Sequence, residues 1–179
     1  ARRALELFVE ERLETYVDRR DQLALDATSR LSPHLHFGEI SPAQVRSAIE
    51  KFGLEAMRPG DVFATNIPYQ GGTHTCDVCL VKPVFAGDAV VAFSVSITHW
   101  IEIGGKVPGS IGPDATEIFQ EGLQLPCVRL FESGALNRSI VEIIRANVRL
   151  PELATSDLNA GIAAVTIGES RVREACERY

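Results

Sequence analysis

The fold is decided by Val78-Cys-Leu-Val-Lys-Pro-Val-Phe-Ala-Gly-Asp-Ala-Val-Val-Ala-Phe-Ser-Val-Ser-Ile-Thr98. Two runs rich in Val, Ile, Phe and Thr, residues 78–85 and 89–98, are separated only by Ala86-Gly87-Asp88, a connection typical of a β-hairpin. Residues 61–65 have a similar composition and predict a further strand. This part of the chain is therefore expected to form a sheet that contains a hairpin.

Helices are predicted before and after these strands in the sequence. Ser41 as N-cap, Pro42 at the first helical position and Gln44 predict a helix that ends near Gly53. An earlier helix is indicated by apolar residues at spacings of three and four: Leu5, Phe8, Val9, Leu13, Tyr16 and Val17. Two features after the sheet are a long Gly- and Pro-rich loop at residues 104–126 and a capping box at Ser139 and Glu142.

The helix that begins at this capping box is expected to end before Pro151, and a final helix carries Leu158, Ile162, Val165 and Val172. Gly161 and Gly168 weaken that final helix by about 1 kcal/mol each relative to Ala. The predicted fold class is therefore α+β: an N-terminal helical segment, a hairpin-containing sheet and C-terminal helices, forming a partial domain.

Composition excludes several classes of protein. The chain has 179 residues and a net charge of -6, from 24 acidic and 18 basic residues, which argues against a general phosphate-binding surface. Its longest nearly apolar run, residues 89–97, is far shorter than the roughly 18 to 20 residues that span a bilayer. Neither nucleic acid nor a membrane is an expected partner. The N-terminus shows no initiator Met and no signal peptide, so we expect a mature product or an internal fragment in the cytoplasm.

Four cysteines, Cys76, Cys79, Cys127 and Cys176, are too few for a disulfide scaffold, and we expect them to be reduced. Cys76 and Cys79 form a C-x-x-C motif. A redox motif of this kind normally opens a helix, and a zinc motif needs a second pair, so the motif is interpreted as incidental.

Three residues point to a metal site. His74 and Asp77 follow Gly71-Gly72, where a turn can aim both side chains inward, and His99 ends the second strand of the hairpin. Two imidazoles and one carboxylate suit zinc, manganese or iron and leave coordination positions open. The alternative is that the histidines pack at an interface and that Asp77 forms an Asx-turn.

The long loop also supplies carboxylates. Glu117 and Glu121, with Asp114, are candidates for a catalytic base or for acceptors that orient the ligating histidines. Carboxylates in such a loop are, as the alternative, solvated or capping residues. Tyr69 and Trp100 either line a substrate pocket or simply pack.

Residues 1–48 resemble the start of the FAD-binding domain of DNA photolyases and cryptochromes. The resemblance rests on Thr28-Ser-Arg-Leu-Ser-Pro-His-Leu-His-Phe-Gly-Glu-Ile-Ser-Pro-Ala-Gln-Val45 and the preceding Tyr16. It implies contacts to the FAD phosphates, and FAD is expected only if this segment retains binding. The matching positions are Tyr16, Thr28, Ser29, Leu31 and Ser32. The alternative is that these hydroxyls only cap helices and form turns.

Residues 52–179 resemble the hydantoinase B/oxoprolinase family. The resemblance rests on Asn66-Ile-Pro-Tyr-Gln-Gly-Gly-Thr-His-Thr-Cys-Asp77, on His99-Trp-Ile-Glu-Ile-Gly-Gly105 and on related stretches up to Gly122. It implies that His74, Asp77 and His99 bind the metal. It also implies hydrolysis of hydantoin, 5-oxoproline or a related lactam, with a hydantoinase A-type subunit that uses ATP. The chain has no Walker motif and is expected to be inactive alone.

Together these resemblances predict two domains, residues 1–48 and 52–179, joined in a chimeric chain. The first functional hypothesis is a fragment of a metal-dependent cyclic amidohydrolase. The alternatives are a fragment of a flavin-dependent photolyase and a non-catalytic interaction piece whose exposed hydrophobic strands meet a partner.

Overall fold

The computed structural model describes residues 42–70 and 72–178. The helices and strands follow one another along the chain in the order α1 (Pro42–Phe52), β1 (Val62–Thr65), β2 (Asp77–Ala86), β3 (Ala89–His99), β4 (Val128–Glu132), β5 (Ala135–Leu136), α2 (Arg138–Asn147) and α3 (Pro151–Arg178). Short 3-10 helices lie at Leu54–Ala56, Pro68–Gln70 and Ile118–Gln120. The predicted α+β class is confirmed.

The strands form one five-stranded sheet in the order β3-β2-β1-β4-β5, in which all neighbours pair antiparallel. The three predicted strands, including both arms of the hairpin, are confirmed to within one residue at each end. β4 and β5 were not predicted. They add to the side of β1 that faces away from the hairpin, so β3 is an edge strand.

A β-bulge sets the register of the β2–β3 hairpin. Phe85 pairs with Val90, but Val84 pairs with Ala92, so Val91 is an extra residue on β3. Beyond this bulge the pairing is regular and ends with Asp77 opposite His99. An uninterrupted ladder from the same turn would place Thr98 there instead, because each pair steps one residue along both strands. The bulge therefore decides which side chain faces Asp77.

Hydrophobic cores lie on both faces of the sheet. On one face α2 and α3 cover the strands, with Ile144, Leu158 and Val165 buried. On the other face α1 packs Ala48 and Phe52 against the strands. Alternate strand residues supply the two cores, as the two-residue period of a strand requires. Val62, Ala64, Val78 and Leu80 belong to the first core, and Phe63, Cys79 and Val81 belong to the second.

Two glycines let α3 approach the sheet closely. A side chain at Gly161 would press on Leu80, and one at Gly168 would overlap the Ser94 hydroxyl of β3. The same two residues disfavour an isolated helix, yet the helix runs unbroken over 28 residues. Lys82 and Glu169, both largely buried, add an ion pair of 3.1 Å between β2 and α3. Packing on the sheet thus stabilises a helix whose own propensity is modest.

The start of α2 differs from the prediction. The helix begins at Arg138 after an N-cap at Asn137, and no side chain caps it, so the predicted capping box at Ser139 and Glu142 is wrong. The reason is the preceding hairpin. The Asn137 N–H donates to the Leu130 carbonyl of β4 at 2.9 Å, which fixes where the chain leaves the sheet and helix α2 begins. The helix does end before Pro151, which begins α3.

Cys76 and Cys79 lie on opposite sides of the sheet. Cys76 belongs to the core under α2 and α3, and Cys79 belongs to the core under α1. Because the two thiols lie in separate cores, they cannot act as one motif. The C-x-x-C is incidental, as the sequence indicated.

Within residues 42–70 and 72–178, no helix combines the length and the apolar character needed to cross a bilayer.

Gly104 provides a test of close packing at the start of the long loop. Gly104 and Gly134 share a φ of +84°, but a Cβ at Gly104 would overlap the Asn147 carbonyl, whereas Gly134 has open space. Both Ala variants incur left-handed strain, and only Gly104→Ala must also displace the end of α2. We expect Gly104→Ala to melt roughly 2 to 10 °C below Gly134→Ala in calorimetry, for an added cost of about 1–3 kcal/mol. Equal melting temperatures would contradict this packing.

Thiol accessibility tests the burial of the cysteines. Cys76, Cys79 and Cys127 are buried and Cys176 is exposed. Burial, with a smaller contribution from the Cys127 thiol, raises the pKa of Cys79 to about 12, so its reactive thiolate is scarce at neutral pH. We expect one thiol per native chain to react rapidly with Ellman's reagent, and all four to react in denaturant. The Cys176→Ser variant, as control, should lose the rapid phase only.

Candidate metal centre

The open end of the hairpin brings three predicted ligands together. Asp77 begins β2 directly opposite His99, the last residue of β3. His74 reaches the same place through a turn, in which the Asp77 N–H donates to the His74 carbonyl at 3.1 Å. The Asp77 carboxylate closes this turn, since its Oδ2 accepts the N–H groups of Thr73 and His74, each at 3.2 Å.

The geometry of the three side chains suits a metal ion. One ligand atom from each of His74, Asp77 and His99 lies within 4.8 Å of the other two. The two imidazole rings stand almost perpendicular, with centroids 5.4 Å apart. Both histidines are exposed and Asp77 is half-buried. An ion at this position would keep open coordination positions for water or a substrate, as catalytic sites do. Among the described residues this is the one such group of His, Cys, Asp and Glu.

Two concave regions flank the cluster. A small pocket of about 90 Å³ lies between the His74 turn and the loop around Ser110, and a wider cleft of about 260 Å³ runs past Tyr69 and Thr73. Glu121 lines both of them. The small pocket is lined by His74, Thr75, Cys76, Ser110, Ile111, Gly112 and Glu121.

The two predicted catalytic carboxylates, Glu117 and Glu121, have different surroundings in the structure. Glu121 is half-buried beside His74, and the Thr75 hydroxyl donates to its backbone carbonyl at 3.2 Å and approaches its Oε2 at 3.5 Å. Glu117 is exposed and lines only the wider cleft. Asp114 is exposed and forms an ion pair with Lys106 at 3.0 Å, which is a contact within the loop. Of the three, Glu121 has the surroundings of a group held beside the cluster.

The local charge favours a cation. Burial, followed by the charges of Asp77, Glu102 and Glu121, raises the pKa of the Cys76 thiol at the floor of the small pocket. The thiol therefore stays protonated and is a poor ligand or nucleophile at neutral pH. Of these carboxylates, Glu102 is paired with Arg149, and Asp77 and Glu121 attract a positive ion to this end of the sheet.

The two aromatic candidates, Tyr69 and Trp100, differ in their exposure. Trp100 is buried and packs in the core, where its Nε1 donates to the Thr98 hydroxyl at 3.2 Å. Tyr69 is 87% exposed and lines the wider cleft. Packing explains Trp100, and only Tyr69 is available to a ligand.

Several residues that shape the site were not predicted. Asn66 is buried after β1, where its Nδ2 donates to the carbonyls of Thr75 and Leu123 and its Oδ1 accepts the Leu125 N–H at 2.6 Å. It joins the His74 turn to the segment after Glu121. Since its partners are up to 59 residues away, no local pattern could reveal this role.

Glu102 is a second such residue. Its side chain is only 3% exposed, three residues after His99, and pairs with Arg149 at 2.7 Å. Burial acts to raise the pKa of Glu102, but N–H donors of Arg149 and Gly104 and the Arg149 guanidinium outweigh burial and hold that pKa below its usual value of 4.5. A charged residue between the apolar Ile101 and Ile103 was the only signal in the sequence.

Comparison with known proteins identifies the family. The sequence profile described as hydantoinase B/oxoprolinase matches residues 2–179, and the chain therefore belongs to that family. It is 39% identical over 126 residues to the putative B-type subunit of a D-/L-hydantoinase from Pseudomonas sp. strain NS671, covering 70% of this chain and 21% of the relative. It is 34% identical to the beta subunit of the caprolactamase from Pseudomonas jessenii, covering 81% of this chain and 25% of the relative.

Solved structures agree. The crystal structure of ATP-dependent caprolactamase from Pseudomonas jessenii matches with a TM-score of 0.71 and 34% identity, covering 76% of this chain and 23% of that chain. A nucleotide-free acetone carboxylase shares the fold, with a TM-score of 0.68 and 22% identity over 76% of this chain and 19% of that chain. The chain thus spans about a quarter of the length of these relatives or less.

The same comparison bears on the N-terminal resemblance. The family match begins at residue 2 and includes the segment that was predicted to be photolyase-like. The comparisons support neither a photolyase fragment nor a chimeric junction. The predicted FAD contacts, Tyr16, Thr28, Ser29, Leu31 and Ser32, lie outside the described residues. FAD binding and the division into residues 1–48 and 52–179 stay predictions.

The depressed pKa of Glu102 predicts a pH dependence of stability. Because the ionised form is favoured in the folded chain, its contribution is complete above the unfolded pKa near 4.5 and is lost as pH falls through the lower folded value. We expect the melting temperature of the native chain to fall more steeply below about pH 4.5 than that of Glu102→Gln.

Glu152→Gln is the matched control for this experiment. Glu152 also has a lowered pKa, through a hydrogen bond and charge pairing with Arg145, but it is fully exposed. An exposed pair contributes little, so this variant should follow the native pH profile. The assignment is contradicted if Glu102→Gln retains the native slope, or if Glu152→Gln flattens it equally.

Proposed function

We propose that this chain forms part of a metal-dependent hydrolase of cyclic amides, in which His74, Asp77 and His99 hold one zinc, manganese or iron ion. The observation that carries the proposal is the convergence of their ligand atoms within 4.8 Å, from a turn and two strand ends. Imidazole and carboxylate are the donors that these metals share, so the residues fit any of the three.

The surroundings of the three side chains support this role. The hydrogen bonds from Thr73 and His74 both fall on Asp77 Oδ2, so they fix the carboxylate while its Oδ1 remains for an ion. Carboxylates that bind metal ions are usually held by hydrogen bonds in this way. A metal bound here would polarise a carbonyl or lower the pKa of a water molecule.

The protein's own residues would complete the chemistry. Glu121 lies between the small pocket and the wider cleft, so it is placed to accept a proton from a water molecule and to return it to a leaving amide nitrogen. Thr75 holds its backbone and approaches its carboxylate. Glu117, exposed across the wider cleft, is better placed to accept hydrogen bonds from a substrate than to exchange protons.

The substrate class and the partner follow from the relatives. Their names include a hydantoinase component and a caprolactamase component, and another relative is 5-oxoprolinase 1 of Arabidopsis thaliana, 33% identical over 83% of this chain and 13% of the relative. All three names point to a cyclic amide. The caprolactamase structure is ATP-dependent. We therefore infer an ATP-using partner of the hydantoinase A type. Because the chain spans a quarter of these proteins or less, the complete activity would belong to the longer assembly.

Metal titration of this chain tests the proposal. Calorimetric titration with Mn²⁺ or Zn²⁺ should show one ion per chain, and metal at about 100 times its dissociation constant should raise the melting temperature by several degrees, for about 2.7 kcal/mol. His74→Ala and Asp77→Asn should weaken binding by at least about 10- to 100-fold, because loss of a ligand costs no less than loss of its support.

Asp88→Asn is the matched control. Asp88 lies exposed in the turn at the other end of the same hairpin, so the change in net charge is identical. It should bind the metal as the native chain does. The proposal fails if Asp88→Asn weakens binding as much as Asp77→Asn, or if metal stabilises all the variants equally.

A further inference from the structure

The buried Glu102 carboxylate is bonded on both oxygens. Its Oε1 accepts the Gly104 N–H at 2.6 Å and the Arg149 Nη1 at 2.7 Å, and its Oε2 accepts the Arg149 backbone N–H at 2.8 Å. Arg149 extends the network, because its Nη2 donates to the Gly105 carbonyl at 2.7 Å. The pair thus joins the segment between α2 and α3 to the beginning of the long loop.

Ser110 carries this network to the small pocket. Its hydroxyl oxygen accepts the N–H groups of Ile103 and Gly105, each at 2.9 Å, and lies 3.5 Å from Glu102 Oε1, to which it donates. The hydroxyl is therefore fully engaged and is not a nucleophile. Ser110 has a φ of +59°, a conformation that a residue other than glycine keeps only when its surroundings impose it.

We propose that Glu102 is a positioning residue that acts through Ser110 to hold residues 110–112 as a wall of the small pocket, against His74 and Glu121. This inference rests on the proposed function of that pocket. Glu102 does not line the pocket itself, whereas Ser110, Ile111 and Gly112 do. The wall belongs to a glycine-rich loop that has little regular structure of its own, so charge-assisted hydrogen bonds must supply the order that packing does not.

The charge of Glu102 is essential to this role. In addition to Ser110, three N–H groups donate to its two oxygens: those of the Gly104 backbone, the Arg149 backbone and the Arg149 guanidinium. Both oxygens must therefore act as acceptors. A glutamine has nearly the same shape but carries an NH₂ group in place of one oxygen, which would face a donor. Glu102→Gln should therefore release the wall while leaving the two cores intact.

Asp61 offers a matched control at the other end of the sheet. It is fully buried before β1, and its carboxylate accepts the N–H groups of Ser133 and Arg58 at 2.7 and 3.0 Å, with the Arg129 Nε 3.8 Å away. Asp61→Asn thus disturbs a comparable buried carboxylate that does not line either concave region. A loss of stability alone would be common to both variants.

Hydrogen exchange followed by NMR is the first measurement. The Ile103 and Gly105 amides donate to Ser110 and not to Glu102. In Glu102→Gln they should exchange about 10- to 100-fold faster, because Ser110 loses its hydrogen bond to a charged carboxylate and no longer holds them. In Asp61→Asn they should change no more than amides of β2. Arg149→Gln, which keeps the backbone donor to Glu102, provides a second variant should Glu102→Gln fail to fold.

Binding of Co²⁺ as a probe supplies a readout that a purely stabilising role would not move. In the native chain, Co²⁺ at the cluster should give pseudocontact shifts of the Ser110, Ile111 and Gly112 amides. Glu102→Gln should bind Co²⁺ but show altered shifts for these three amides, and Asp61→Asn should show the native pattern. The inference is overturned if exchange is unchanged, or if Glu102→Gln keeps the native pseudocontact shifts.

The proposed function fails separately. If the native chain shows no Co²⁺ shifts around His74 and His99, there is no metal site. The amide chemical shifts of Thr75 and Glu121, which lie across the pocket from the wall, then decide the positioning role. A response to Glu102→Gln that Asp61→Asn does not produce supports it, and equal responses overturn it.

Discussion

The antiparallel pairing of β2 with β3 is the constraint on which the rest of the structure depends. It aligns Asp77 with His99, and it forms the surface on which α3 packs. Side chains alternate between faces along a strand, so a slip of one residue would turn the side chains of β3 to the opposite faces and move His99 out of register with Asp77. The extra residue at the bulge, Val91, is therefore as important to the site as the ligands themselves.

The helices hold this hairpin in place. α3 lies close to the sheet because Gly161 and Gly168 leave room for Leu80 and Ser94. The ion pair between Lys82 and Glu169 fixes the position of the helix along β2. Both glycines cost helix propensity, and the apolar burial that their small size allows offsets that cost. The end of the hairpin that carries the candidate ligands is thus attached to a firmly packed core, which a preformed site requires.

The loops around the site are ordered by a few buried polar groups. Asn66 satisfies three backbone groups on two segments, and Glu102 with Arg149 fixes the loop that contains Ser110. A buried polar group is stabilising only when its hydrogen bonds are complete. These residues therefore specify one loop arrangement, and the shape of the small pocket follows from it.

The sequence by itself determined the hairpin, the α+β class and the helix at Pro42–Phe52, and it placed His74, Asp77 and His99 near one end of the hairpin, because strand period and turn residues are local properties. Tertiary structure alone decided the bulge register, the pairing of β4 and β5, the uncapped start of α2 and the choice of Glu121 over Glu117 beside the cluster. These features depend on contacts between residues far apart in the chain, such as Glu102 and Arg149, which are 47 residues apart. Such contacts form only when the whole core packs, and no local pattern records them.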